Sequence, residues 1–186
     1  MSFFRTLFTR RAATPTPPLP SYPPHMGAGC VFTDGKHVLA GYQPNKKKPG
    51  ITGIGGHREG EETYLQTAYR ETIEEIYNVT NTQIPIGLID KLIQQMKPQK
   101  IKMKKGYVIV TFTFTDLEMF LKLCRKSGLR SPLYAEMPRV LIEVIQGRGY
   151  DLKAEISTFA LLPVVKSHQK LKHFVNPLFL QDMWDM

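Results

Sequence analysis

Three glutamates, Glu71, Glu74 and Glu75, are spaced so that they could act together on one ligand. In a helix, positions i, i+3 and i+4 fall within an arc of roughly 100° on one side. Like charges at that spacing repel, so a helix gains nothing from them unless a cation is present. Hard divalent ions take several carboxylate oxygens, which makes the three side chains candidate ligands for Mg²⁺ or Mn²⁺. The alternative is an acidic, solvated helix face, and periodicity alone does not decide between the two.

The acids are concentrated around these glutamates although the chain as a whole is basic. Its 186 residues carry 25 Lys and Arg against 16 Asp and Glu, a formal net charge of +9. Six of the 16 acids lie within residues 59–75, where Arg70 is the sole basic residue between Thr63 and Asn78. A basic excess favours polyanionic partners such as nucleotides, RNA or anionic surfaces. The 42% of apolar residues exclude a disordered or collagen-like chain.

The spacing of the flanking residues matches a known signature. Gly56, five residues, Glu62, seven residues and then the run from Arg70 to Glu75 (RETIEE) resemble the Nudix box, G-x5-E-x7-R-E-U-x-E-E-x-G-U, where U is a bulky aliphatic residue. Every charged position and the leading glycine agree. The chain is therefore identified as a member of the Nudix hydrolase family.

The sequence departs from the box at positions that carry no candidate ligand. Thr72 and Asn78 stand at aliphatic positions, Tyr77 replaces the second glycine, and Ile54 stands where a proline usually precedes the paired glycines. A residue other than glycine is costly in the left-handed conformation that ends many helices. We therefore expect the helix to run on and end near Asn78.

The resemblance implies hydrolysis of a phosphoanhydride in a nucleoside diphosphate linked to another moiety. Metal ions held by Glu71, Glu74 and Glu75 would act as Lewis acids and lower the pKa of water. Arg70 would orient a carboxylate, either that of Glu71 or that of Glu62. Glu62 would support the metal ligands without binding the metal ion itself.

The same resemblance assigns roles to residues outside the acidic run. Gly55 and Gly56 would let the backbone approach metal or phosphate closely. The general base is either Glu75 or Glu155, which precedes the last predicted strand. The alternative for Glu155 is an ordinary surface acid.

Lysines form two basic segments. Lys46, Lys47 and Lys48 lie in a proline-bounded loop, and six lysines with no acid lie between positions 91 and 105. Lys102, Lys104 and Lys105 are candidate phosphate contacts. Lysines at a strand edge can instead serve only to block aggregation.

Three functions remain open from the sequence. The first is a pyrophosphohydrolase of small nucleotides. The second is an RNA 5′-end hydrolase of the mRNA-decapping kind, supported by the lysines at 91–105. Tyr42, Tyr107 and Phe112 are candidates for base stacking, although aromatic residues in strands more often belong to the core. The third is a non-catalytic Nudix-fold module that binds RNA or a large assembly, which the retained acids argue against.

The secondary-structure pattern of the segments that must position these residues indicates an α/β (α+β) fold. The resemblance implies a Nudix-type α/β/α sandwich with a mixed sheet. The helix begins at Thr63, which forms a capping box with Gln66. A hairpin turns at Asp34-Gly35. We expect strands at 27–33, 36–42, 51–56, 84–92, 107–115 and 156–161, and helices at 116–126, with Asp116 as N-cap, and from Asn176-Pro177 to Met183. Within 131–146, residues 140–145 fit either a strand or a buried helix; a helix there would make 116–150 a helical insertion.

The ends and cysteines complete the prediction. Residues 1–24 lack acids and contain six prolines after position 14, which predicts a flexible basic tail preceding a domain at 25–186. That start also resembles a mitochondrial presequence; otherwise an intracellular, cytoplasmic location is expected. Cys30 and Cys124 are predicted to be buried, reduced thiols. No apolar stretch is long enough to predict a spanning helix.

Overall fold

The computed structural model describes residues 24–164 and 173–184. The predicted tail at 1–24 therefore lies almost wholly outside the described residues. Within them, no helix is both long and apolar enough to cross a membrane. The strands are β1 (Gly27–Thr33), β2 (His37–Gln43), β3 (Gly50–Thr52), β4 (Ile54–His57), β5 (Lys100–Lys104), β6 (Tyr107–Thr113) and β7 (Thr158–Pro163). The helices are α1 (Tyr64–Tyr77), α2 (Leu88–Gln95), α3 (Phe114–Lys126), α4 (Leu141–Gln146) and α5 (Pro177–Trp184).

The strands form one mixed seven-stranded sheet. Its main path runs β3-β2-β1-β6-β5, with β4 paired to β1 and β7 paired to β2. β1 is parallel to β6 along its whole length and antiparallel to β4 over its first four residues. The mixed sheet with helices confirms the predicted fold class.

Alternating side chains divide between two hydrophobic clusters, one on each face of the sheet. Ala28, Cys30 and Phe32 of β1 face α1, α2 and α3, whereas Val31 faces α5. Buried residues of the neighbouring strands complete both clusters. This alternation follows from the two-residue repeat of a strand and gives the sandwich its three layers.

One predicted strand is wrong. Residues 84–92 do not pair with the sheet; they contain a short turn and then α2. Leu88 and Leu92, four residues apart, are both fully buried, as expected for one face of a helix. The β-branched residues around Pro85 suggested a strand, but proline interrupts the run and Gly87 (φ +75°) begins the helix.

The other boundaries differ by a few residues. The segment predicted as one strand at 51–56 is two strands that separate at Gly53. The N-cap of α3 is Thr113 and not the predicted Asp116. Asp116 is the third helical residue, and its side chain completes the capping box by accepting from the backbone of Thr113. Residues 116–150 contain two helices, and Leu117 and Phe120 of α3 belong to the main core.

The predicted ends of α1 are confirmed. Thr63 and Gln66 form the capping box, and the helix ends at Asn78 in the left-handed conformation (φ 52°). The polar Thr72 is accommodated because its hydroxyl donates to the carbonyl of Ala68 over 2.7 Å. Tyr77 is fully buried against Tyr134, so the residue that replaces the usual glycine serves the core.

Both cysteines are buried free thiols, as predicted. Burial raises the pKa of the Cys30 thiol to about 12. Neither thiol is placed to act as a nucleophile.

Candidate active site

Arg70 lies at the centre of the acidic cluster. It is 1% exposed, so its guanidinium is removed from water and must be satisfied within the protein. Nε and Nη2 donate to the two oxygens of Glu62 over 2.7 and 3.0 Å. Nη1 donates to Glu71 (2.9 Å) and Glu74 (2.7 Å), and Nη2 also donates to the carbonyl of His57 (2.7 Å). One side chain therefore fixes three carboxylates and the end of β4.

The Glu62 carboxylate accepts hydrogen bonds from other residues besides Arg70. Besides the two Arg70 bonds, it accepts from the Thr67 hydroxyl over 2.9 Å, and Thr67 in turn contacts His25 over 3.2 Å. Although burial raises the pKa of Glu62, the hydrogen bonds from Arg70, Glu59 and Thr67 outweigh it and hold that pKa below the ordinary value. Glu62 is thus an anion that neutralises Arg70 and orients it toward the other two carboxylates.

Glu71 and Glu74 carry their carboxylates toward β4. A Cβ placed on Gly56 would collide with the Glu71 carboxylate, so only glycine allows this approach. Burial is the largest cause that raises the pKa of both acids, and Arg70 opposes it. The neighbouring charges of Glu74 and Glu155 add to the rise in the pKa of Glu71.

Glu75 is the most buried acid of the cluster, with 5% of its surface exposed. The backbone N–H of Gly55 donates to its Oε2 over 2.6 Å. Burial raises the pKa of Glu75 well above its ordinary value, and the charges of Glu155 and Glu71 raise it further, while the Gly55 bond and the charge of Lys46 lower it.

Gly55 is confined by its surroundings. Its φ of +144° is one that residues with side chains rarely adopt. A Cβ at this position would collide with the Tyr107 hydroxyl, the Cα of Gly29 and the carbonyl of Ala28. The ring of Tyr107 also lies against Gly27, so the glycines of β1 and β4 give it room. This packing fixes the backbone that donates to Glu75.

Glu155 and Lys46 are two charged residues outside α1 whose electrostatic effect reaches Glu75. Glu155 accepts from the Gln43 side-chain amide (3.1 Å) and pairs with Lys46 (3.2 Å). Both partners of the ion pair are more than half exposed. The structure therefore brings Glu155 together with the helix acids, within range to influence their ionisation.

Arg148 is a residue that the sequence did not single out. Its guanidinium donates to the carbonyls of Glu75 (3.1 Å), Ile76 and Ile156 (2.6 Å). It also lies over the Phe159 ring, 4.9 Å from the centroid. Arg148 thereby joins the end of α1 to the segment that carries Glu155. No local motif marks it, because its partners are backbone atoms distant in sequence.

The predicted phosphate-binding lysines lie elsewhere. Lys102 is in the edge strand β5, and its register row runs through Ile109 and Gly29 to Gly55, about 14 Å at ordinary strand spacing. Ile109 belongs to the cluster under α5, so Lys102 is on the face of the sheet opposite α1. Lys104 shares that face and Lys105 is in the following turn. The structure does not bring these lysines to the carboxylates.

The three aromatic candidates for base stacking lie in different environments. Phe112 is fully buried and stacks on Phe32 with ring centroids 5.8 Å apart, so it is part of the core and does not reach a base. Tyr107 packs over the β1 glycines. Tyr42 is 38% exposed.

The carboxylates fit a divalent ion by their chemistry. Glu71, Glu74 and Glu75 are hard oxygen donors, and burial together with mutual repulsion makes their charges costly, which a cation would offset. Arg70 or Gly55 engages one oxygen of each. Across residues 24–164 and 173–184, no three acidic, histidine or cysteine side chains form a ready-made metal cage. The second oxygens would have to turn toward the ion.

Comparison with solved structures finds several resemblances of low identity. A bifunctional NMN adenylyltransferase/ADP ribose pyrophosphatase from Francisella tularensis, complexed with AMP and a manganese ion, is 15% identical with a TM-score of 0.47; the match covers 89% of this chain and 41% of that one. A NUDIX hydrolase from Nitrosomonas europaea is 15% identical with a TM-score of 0.42, covering 86% and 85%. A C. elegans Ap4A hydrolase is 16% identical with a TM-score of 0.34, covering 74% and 79%. The chain thus spans less than half the length of the Francisella protein.

The sequence of the chain identifies its family. None of the curated proteins matches the chain. The NUDIX domain matches residues 23–127, which is more than half of the chain and includes the whole acidic cluster and α3. The protein therefore belongs to the Nudix family.

Proposed function

We propose that this Nudix-family protein is a pyrophosphohydrolase that depends on Mg²⁺ or Mn²⁺ and cleaves a phosphoanhydride in a nucleoside diphosphate linked to another moiety. The observation that carries the proposal is the Arg70 cluster, which holds the carboxylates of Glu71 and Glu74 together beside the buried Glu75. When bound, the ion would supply Lewis acidity to the phosphoryl oxygens and lower the pKa of water.

The chain's own residues prepare the site for that ion. Arg70 keeps Glu71 and Glu74 in one orientation, and Glu62 balances the charge of Arg70. Because the three side chains are already ordered, less conformational entropy is lost when a ligand binds. The backbone of Gly55 and Gly56 leaves open the space that a side chain would fill.

Two carboxylates are candidates for the general base. Glu75 is buried, and burial raises its pKa, which makes its carboxylate a stronger base than that of a solvent-exposed glutamate. Glu155 is exposed at the mouth of the site and is held by Gln43 and Lys46. A pH–rate profile of Glu155→Gln separates them: loss of the limb that reports the base assigns the role to Glu155, and an unchanged limb assigns it to Glu75.

A substrate panel tests the reaction class. Hydrolysis of ADP-ribose, diadenosine polyphosphates and capped RNA is measured with Mg²⁺ and with Mn²⁺. We expect a metal-dependent release of nucleoside phosphates from one of these classes. No hydrolysis of any of them would contradict the proposal and favour a non-catalytic binding module.

The lysines of β5 provide the test for RNA. If capped RNA is the substrate and crosses the β5 edge, charge reversal at Lys102, Lys104 and Lys105 raises KM for capped RNA and leaves a small nucleotide unaffected. Their distance from the carboxylates favours the small-nucleotide reaction, for which the triple variant keeps its KM.

A further inference from the structure

A cleft beside Glu75 has lysines on two walls. It has a volume of about 290 Å³ and is lined by Asn45, Lys46, Lys153 and Glu155. Asn45 and Lys46 come from the loop after β2, whereas Lys153 and Glu155 come from the segment before β7. The Asn45 amide donates to the carbonyl of Leu152, which joins the two walls.

The cleft is close to the carboxylate cluster. Glu155 lies in both, and its charge raises the pKa of Glu71 and of Glu75. The charge of Lys46 lowers the pKa of Glu75. The geometry supports this proximity, because Arg148 donates both to the carbonyl of Glu75 (3.1 Å) and to that of Ile156 (2.6 Å), the residue after Glu155, and so ties the wall that carries Lys153 and Glu155 to the end of α1.

Other cations near the cluster are already engaged. Arg70 donates to carboxylates and to His57, Arg58 pairs with Glu61, and Arg148 donates to backbone carbonyls. Lys46 pairs with Glu155, but this pair is exposed and exchangeable. Within the described residues, Lys153 has no side-chain ion pair at all. Lys46 and Lys153 are thus the two cations lining the cleft, and both can accept an incoming anion.

We propose that Lys46 and Lys153 form a phosphate-binding site in this cleft, which takes part of the substrate's phosphate chain while the carboxylate cluster handles the scissile bond. The inference rests on the proposed function. A phosphate that binds Lys46 replaces Glu155 as its partner, so substrate binding leaves the Glu155 carboxylate held by the Gln43 amide alone. Asn45 offers an amide at the same wall.

Binding without turnover provides the first test. Inorganic tripolyphosphate is titrated calorimetrically into the full-length protein in EDTA, so that neither a metal ion nor hydrolysis contributes. We expect saturable binding by the wild type and at least fivefold weaker binding by Lys46→Met and by Lys153→Met. Lys122→Met, which removes the same charge from the exposed side of α3, serves as the matched control and keeps the wild-type affinity.

Kinetics provide the second test. On the substrate that the wild type hydrolyses fastest, Lys153→Met raises KM at least fivefold and leaves kcat within about twofold, and Lys153→Arg restores KM. No saturable binding of tripolyphosphate by the wild type, or equal affinities for Lys153→Met and Lys122→Met, would overturn the inference. Failure of the proposed function is distinguishable, because it would abolish hydrolysis and leave the tripolyphosphate titrations unchanged.

Discussion

The backbone N–H of Gly55 donates to the carboxylate of Glu75 over 2.6 Å. This bond connects β4 to the last acid of the Nudix box, and it depends on a backbone conformation that only glycine adopts easily. The buried carboxylate therefore owes its position to a residue that carries no functional group.

Gly55→Ala tests that dependence. A Cβ at this position collides with Gly29 and Ala28 as well as with Tyr107, so we expect a loss of several kcal/mol of stability and of nearly all activity. Gly128→Ala is the matched control, because Gly128 has φ +80° with open space around it and should cost only about 1 kcal/mol. Urea unfolding measures both. Adding Tyr107→Phe to Gly55→Ala should restore nothing, since the backbone collisions remain; recovery would show that the tyrosine hydroxyl alone confines Gly55.

Arg70→Lys keeps the charge and removes the planar fork. Lysine cannot reach Glu62, Glu71, Glu74 and the His57 carbonyl at once, so we expect kcat to fall by at least a hundredfold and stability to fall by about 3 kcal/mol. Steady-state kinetics and denaturant unfolding provide the two readings. Arg139→Lys, which alters an exposed pair with Glu143, should leave kcat and the denaturation midpoint at the wild-type values. Equal effects of the two variants would contradict the organising role of Arg70.

Glu75→Gln tests the pH dependence of stability. The pKa of Glu75 is raised in the folded protein from an ordinary value of 4.5, so the folded state holds this proton more tightly than the unfolded state. Its contribution to stability is therefore present below about pH 4.5 and is lost as pH rises through the folded-state pKa. In metal-free buffer, Glu75→Gln should raise Tm relative to wild type at pH 8, and the difference should vanish toward pH 4.5. A lower Tm for the variant at pH 8 would contradict this account.

Arg148→Met removes the link between α1 and the Glu155 segment. Three backbone carbonyls lose their donor, and we expect a loss of about 3 kcal/mol together with a shifted pH–rate profile. Arg148→Lys should recover part of the stability. If Arg148 served the core alone, the pH–rate profile of Arg148→Lys would match the wild type, and this outcome would limit Arg148 to a structural role.

The candidate site was more predictable from sequence than its surroundings were. Glu71, Glu74, Glu75 and Arg70 lie on one helix, whose geometry is set by local hydrogen bonds, so their spacing alone brings them together. The capping box and the end of α1 near Asn78 were predictable for the same reason.

Contacts between distant segments were less predictable. The roles of Arg148 and Lys153 depend on how the segment before β7 folds back onto α1 and onto the loop after β2. A short apolar run such as residues 84–92 fits either a strand or a helix. The burial of Leu88 and Leu92 on one helical face identifies the second half of this run as helical. The lysines between 91 and 105 were expected in a basic loop or at a strand edge, and no strand was predicted at 100–104, where the structure has β5. Sequence could not show on which face of the sheet these lysines lie.

The central claim is that Glu71, Glu74 and Glu75 support metal-dependent hydrolysis, and Glu74→Gln tests it most directly. The variant keeps the size and hydrogen-bonding shape of the side chain and removes one candidate ligand charge, while Glu118→Gln on the exposed face of α3 removes a charge elsewhere. The measurement is the Mg²⁺- or Mn²⁺-dependent hydrolysis rate on the best substrate of the panel. We expect Glu74→Gln to lose at least a hundredfold in kcat and Glu118→Gln to match the wild type. Equal rates for wild type and Glu74→Gln would contradict the claim.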